Sequence, residues 1–167
     1  MNANHEVQKV SSFLRRLFWY LIIGISLYWV SNAMVVFPWV ISKLLGITAM
    51  LLSTVLWGYM AYYCFRHVPV TERNRDTLSM AISFLVTGVV QDYLFYAWYR
   101  GVPDELYEPT TFVAYGLTFL LPFIIRYVFI RKKIPATIQQ VTGTKLVITA
   151  IAGIAAFLFT IWSMRYW

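Results

Sequence analysis

Residues 44–65, LLGITAMLLSTVLWGYMAYYCF, decide the fold, because the run carries no charge from end to end. A helix crossing roughly 30 Å of hydrocarbon needs about 20 such residues at about 1.5 Å of rise each. This run supplies them before Arg66, His67 and Pro69 close it. Reading outward, four further runs are nearly as apolar, each with at most one charge. Residues 17–37 stop at Pro38, and residues 78–99 follow the helix-cap candidates Asp76 and Thr77 and stop at Arg100 and Gly101. Residues 110–130 begin at Thr110, another cap candidate, and meet Arg131, Lys132 and Lys133; the last run covers 146–166. None alternates as a barrel strand must. The expected fold is an all-α polytopic helical bundle, a single transmembrane domain over residues 1–167 with five spans.

Composition agrees. Apolar residues make up 60% of the 167 and charged residues 13%, against roughly 45–50% and 25% in soluble domains. Mean hydropathy is +0.64. A disordered tail, a disulfide-rich secreted scaffold and a cytosolic enzyme all fit poorly. The lone Cys64 excludes an internal disulfide and a cysteine-rich metal site. Residues 9–33 have the outline of a secretory signal, with Lys9, Arg15 and Arg16 ahead of an apolar stretch and Ser31-Asn32-Ala33 in the form of a cleavage site. They are read here as an uncleaved first span.

The net charge of +7 has a membrane explanation. With five spans and a cytoplasmic N-terminus, Lys9, Arg15, Arg16, Arg66, Arg73, Arg75, Arg126, Arg131, Lys132, Lys133 and Lys145 fall on one side. Only Lys43, Arg100 and Arg165 fall on the other, an 11:3 division. Lysine and arginine accumulate in short cytoplasmic loops, so the C-terminus is expected outside and nucleic acid is not an expected partner. The outer side is acidic instead: Asp104, Glu105 and Glu108 form a mouth between the third and fourth spans.

Small residues point to seams between helices, where lipid supplies no hydrophobic drive and close approach must do the work. Thr149, Gly153, Ala156, Thr160 and Ser163 recur at helical spacing in the last span; Ser42, Gly46, Ala49 and Ser53, then Thr54, Gly58 and Ala61, do so in the second. Trp19, Tyr20, Trp29, Trp39, Tyr62, Tyr63, Trp98, Tyr99 and Tyr127 lie near expected span ends and read as interfacial anchors. Residues 68–76 read as a polar cytoplasmic turn, and 134–144 as a loop with one helical turn that breaks at Gly143. No internal repeat is visible.

One acidic residue, Asp92, lies well inside an expected span. A charge there costs at least about 2.5–3.5 kcal/mol on insertion scales, so it faces the bundle interior and has partners. Gly88, Asp92, Tyr96 and Tyr99 share a helical stripe with Gln91 beside it, leading toward the acidic mouth. Either Asp92 is a structural hydrogen-bonding residue or it is a protonatable ligand for a cation, helped by aromatic rings. Arg126 closes a second stripe, Tyr115-Thr118-Pro122-Arg126, where Pro122 should kink the helix. It lies roughly 12 Å from Asp92 in depth, too far for an ion pair, and is near enough to the membrane surface to snorkel. Asp92, Gln91, Tyr96, Tyr99 and Arg126 are the candidate ligand-binding residues.

His5 and His67 cannot bracket a haem across the bilayer and are expected in the solvated layer. No nucleophile–base order, metal-ligand helix or phosphate-binding glycine loop is present, which argues against an enzyme, and no cofactor or metal is implied. The expected function is a transport or accessory subunit of a bacterial inner membrane, with an outward-opening polar cavity around Asp92 for a neutral or cationic ligand. Its partners are lipid and other membrane subunits or itself. The alternative is an assembly or scaffolding factor without a ligand.

Overall fold

The computed structural model describes residues 3–130 and 142–163. Among these every regular element is helical and five helices are long and apolar enough to span a membrane. They are α1 (Ala3–Ile41), α2 (Lys43–Phe65), α3 (Arg73–Asp92, continued by a wide π turn over Tyr93–Tyr99), α4 (Pro109–Ile124, continued by a π turn over Ile125–Phe129) and α5 (Gly143–Ser163). The helical turn expected within 134–144 falls outside the described residues up to position 141.

α1 is the organising element: α2, α3 and α5 all pack on it, while α4 packs on α3 and α2. The result is a four-helix group with α5 on the far side of α1. α1 also corrects the sequence reading. It does not stop at Pro38 but continues to Ile41: the proline forfeits its own N–H bond and crowds the carbonyl four residues back, yet the Ser42 amide still closes on the Pro38 carbonyl at 3.1 Å. Ser42 then caps α2, accepting from the Leu45 amide at 3.2 Å. The hairpin needs only this one residue, since Gly46 leaves the space that the Trp39 ring fills.

The small-residue seams locate real contacts. On α5, Gly153, Thr160 and Ser163 are buried. A Cβ on Gly153 would stand 2.8 Å from the Ser26 Cα, and the Ser26 hydroxyl donates to the Thr149 carbonyl at 2.9 Å. On α2, Gly46, Ala49, Ser53, Gly58 and Ala61 are buried. The Trp57 indole donates to Ser31 Oγ at 2.8 Å, and a Cβ on Gly58 would meet Leu121 and Ile125 in ordinary contact. One close approach escaped the sequence reading: Gly24 of α1 lies directly against the Thr87 side chain of α3.

The expected polar turn over 68–76 is the largest departure. Val68, Asp76 and Thr77 are buried, and α3 starts at Arg73, so Asp76 and Thr77 lie inside it rather than at its cap. Asp76 is 0% exposed. Its Oδ2 accepts from Arg16 Nε at 2.6 Å and from the Tyr20 hydroxyl at 2.8 Å, while Arg16 also pairs with Glu72, which Arg75 joins at 2.8 Å. Arg16 stands on the same face as Tyr20, four residues on, so α1 offers a cation and a hydroxyl together to α3. Two of the supposed interfacial aromatics, Trp19 and Tyr20, are core residues here; Trp98, Tyr99 and Tyr127 do face outward. Thr110 likewise lies within α4, whose cap position is Glu108.

His67 is also buried rather than solvated. Its ring meets Trp19 and Tyr63 edge-on at 5.0 and 4.9 Å. Nδ1 lies 3.0 Å from the Tyr63 carbonyl and so carries the hydrogen, which leaves Nε2 to accept from Lys145 Nζ at 3.1 Å. Burial, and then the charges of Lys145 and Arg66, hold its pKa below the usual histidine value against the opposing Tyr63 bond. The sign follows. Below about pH 6.5 the unfolded chain takes up a proton that the folded chain refuses, so stability falls with pH until the lower folded pKa is passed. Thermal unfolding in detergent should show this acid-side loss between pH 7.5 and 5. His67→Gln keeps a donor and an acceptor without titrating, and should flatten the slope.

Candidate functional site

A groove of about 690 Å³ runs down between α1, α2, α3 and α4 from the end of the bundle that carries residues 100–111. Asp92 stands on its wall, half-buried. Tyr28 of α1 donates to Oδ1 at 2.6 Å, and Tyr115 of α4 donates to Oδ2 at 2.7 Å. One carboxylate therefore joins three helices. Such a group has about four acceptor positions, and the tyrosines occupy two.

The chain beyond Asp92 widens into i→i+5 hydrogen bonding, seen where the Arg100 amide reaches the Phe95 carbonyl at 2.9 Å. That extra residue per turn changes which side chains share the face. Asp92, Tyr96 and Arg100 line the groove. Tyr99, which ordinary helical spacing put on the stripe, is exposed and stacks at 6.0 Å on Phe95 instead. A π turn inside an α-helix is rare and often marks a functional site. Gly101, with φ +67°, turns the chain sharply after it, and a short helical turn over Pro103–Tyr107 carries Asp104 and Glu105, with Glu108 just past its end.

The candidate residues thus separate. Asp92, Tyr96, Glu105 and Glu108 border the groove, whereas Gln91, Tyr99, Asp104 and Arg126 do not. Gln91 is buried on another face and donates to the Thr87 carbonyl at 3.1 Å. Arg126 donates to the Ile130 carbonyl at 2.8 Å in its own π turn, and its guanidinium lies over the Tyr127 ring at 5.7 Å. Of its sequence stripe, Tyr115 and Thr118 reach the groove, and Pro122 is buried.

Other groove residues went unnoticed in the sequence. Tyr28, Ser31, Asn32, Val35 and Trp39 descend one face of α1 at spacings of three and four, a helical signal hidden among apolar neighbours. Arg100 is the other omission. It pairs with Glu105 at 3.3 Å and lies over the Tyr96 ring at 5.4 Å, so the throat already holds a cation belonging to the chain itself. Among the described residues no group of three histidine, cysteine or acidic side chains comes together to hold a metal.

The arrangement can receive a positive or hydrogen-bonding guest at Asp92, which has spare acceptor positions, while Arg100 already occupies the Tyr96 ring and offsets Glu105, leaving Glu108 to the mouth. No family model, curated protein or solved structure matches this chain.

Proposed function

We propose that this chain is a ligand-binding subunit of a membrane transport or accessory assembly, and that the groove takes a neutral or cationic ligand from outside the cell. The orientation follows the 11:3 division of basic residues, which sets the N-terminus in the cytoplasm and the acidic mouth outside, as in a bacterial inner membrane. The observation that carries the reading is Asp92, a carboxylate half-buried among helices, hydrogen-bonded by two tyrosines and still open to a groove large enough for a small molecule. Ligand pockets run from about 300 to 1,000 Å³.

Substitution of Asp92 tests it. Asp92→Asn keeps the shape and the acceptor for one tyrosine but loses the charge. Binding of methylammonium, followed by calorimetry on protein in nanodiscs, should weaken by about tenfold to a hundredfold, the worth of a hydrogen bond to a charged group, while the melting midpoint shifts by only a few degrees. Loss of fold with no binding by the wild-type protein would instead support an assembly factor in which Asp92 fastens α1, α3 and α4.

A further inference from the structure

The groove has two compartments, and the ligand-binding reading does not use the lower one. Above, toward the mouth, the lining is polar: Asp92, Tyr96, Arg100, Glu105 and Glu108. Below Asp92 it is formed by Phe84, Leu85, Gly88, Trp57, Leu117 and Leu121, which reach about 12 Å deeper along α3 by helix rise. Two of the three α2 and α4 hydroxyls at this level are engaged, since Ser53 and Thr54 both donate to the Met50 carbonyl of their own helix, at 2.9 and 3.0 Å; the third is Thr118. Gly88 shows the space directly: it is buried, yet a Cβ added there would meet nothing within 4 Å.

The groove also opens sideways, at about the level of Asp92 and just below it. α2 and α4 meet where Gly58 faces Leu121 and Ile125 and part above that point. Met50, Val113 and Leu117 line the groove there while remaining 39%, 61% and 43% exposed. In a bilayer that gap faces hydrocarbon.

We infer that the ligand is an amphipathic amine, with its cationic head at Asp92 and its hydrocarbon tail in the compartment over Gly88, reached from the membrane through the gap between α2 and α4. Charge complementarity fixes the head: the hydrogen-bond partners of Asp92 are two neutral tyrosines, whereas the chain's own cation in the throat, Arg100, is paired with Glu105 over Tyr96. A soluble polar cation would leave the lower walls with no partner. A neutral hydrocarbon would leave the two spare acceptor positions on Asp92 unused, and an anionic amphiphile would meet three carboxylates. This inference rests on the ligand-binding reading and adds the tail.

The test compares tailed and tail-less probes on the full chain in nanodiscs. A dodecylamine bearing a diazirine on its chain is photolysed, and labelled peptides are mapped by mass spectrometry, with competition by dodecylamine, ethylamine and dodecanoate. Labelling should concentrate on α2 and α4 residues of the groove, saturate, yield to dodecylamine at aqueous concentrations at least about tenfold below those of ethylamine, and ignore dodecanoate. Asp92→Asn should reduce it about tenfold or more. Gly88→Leu fills the lower compartment one turn from Asp92, in a helix that gains propensity from the change; it should abolish dodecylamine protection and weaken methylammonium binding far less. If ethylamine competes as well as dodecylamine, or Gly88→Leu weakens both amines equally, the amphiphile inference fails and the cation reading survives. Labelling that does not saturate, or is blocked equally by dodecanoate and indifferent to Asp92→Asn, overturns both.

Discussion

Asp76→Ala is expected to cost about 3–5 kcal/mol, the price of leaving one member of a buried ion pair without its partner. Arg16 is 7% exposed and would retain only Glu72, and the Tyr20 hydroxyl would lose its acceptor at the same time. Unfolding in mixed micelles with increasing denaturing detergent should therefore shift strongly to lower denaturant. Asp76→Asn, which keeps an acceptor for Tyr20 but not the charge, should fall between. The double variant Arg16→Met/Asp76→Leu should recover part of the loss, since an apolar pair avoids the cost of burying ions, while the Tyr20 hydroxyl stays without its acceptor. An Asp76→Ala protein as stable as the wild type would mean that Arg16 is hydrated or pairs elsewhere, and that this network does not fasten α1 to α3.

Gly153→Leu should have an effect of similar size by a different route. The position where a Cβ would stand is 2.6 Å from Ser26 Oγ and 2.8 Å from Ser26 Cα. A hydroxyl can rotate away, but the backbone of α1 cannot. Even Gly153→Ala overpacks the seam, at about 1–3 kcal/mol, against about 1 kcal/mol gained in helix propensity. A leucine leaves α5 no way to stay seated. The expected result is a several-fold loss of monodisperse protein in fluorescence-detected chromatography and a melting midpoint lowered by many degrees. Gly116→Leu is the control: nothing lies within 4 Å of a Cβ there, and the change should be close to neutral. Equal effects at the two glycines would show that α5 does not depend on this contact.

Much of the architecture was legible in the residues alone. The runs now seen as α1 to α5 are recognisable because hydrocarbon tolerates few charges over about 20 residues, and that constraint acts on every position of a span at once. The seams were legible for a related reason: only small residues let helix backbones touch, so Gly153 on α5 and Gly58 on α2 mark contacts whatever their partners are. Asp92 stood out because a carboxylate inside a run long and apolar enough to span a membrane is costly unless it is partnered.

The sequence alone thus determined the helices, their small-residue faces and the position of one half-buried acid, Asp92, since these depend on the chemistry of single segments. Which residues surround that acid was decided by the tertiary structure. Tyr28 and Tyr115 lie 64 and 23 positions from Asp92 in the chain, and no local spacing relates them. The π turn after Asp92 exchanged Tyr99 for Arg100 on the groove face, because a periodicity of 3.6 cannot foresee an extra residue per turn. Asp76 is the strongest case. Beside Arg75 and ahead of an apolar run it has the sequence of a solvated helix cap, and only the approach of Arg16 and Tyr20 from α1 makes it a buried ion pair. A charge reads as polar in one dimension; whether it is solvated or buried depends on what the other helices bring to it.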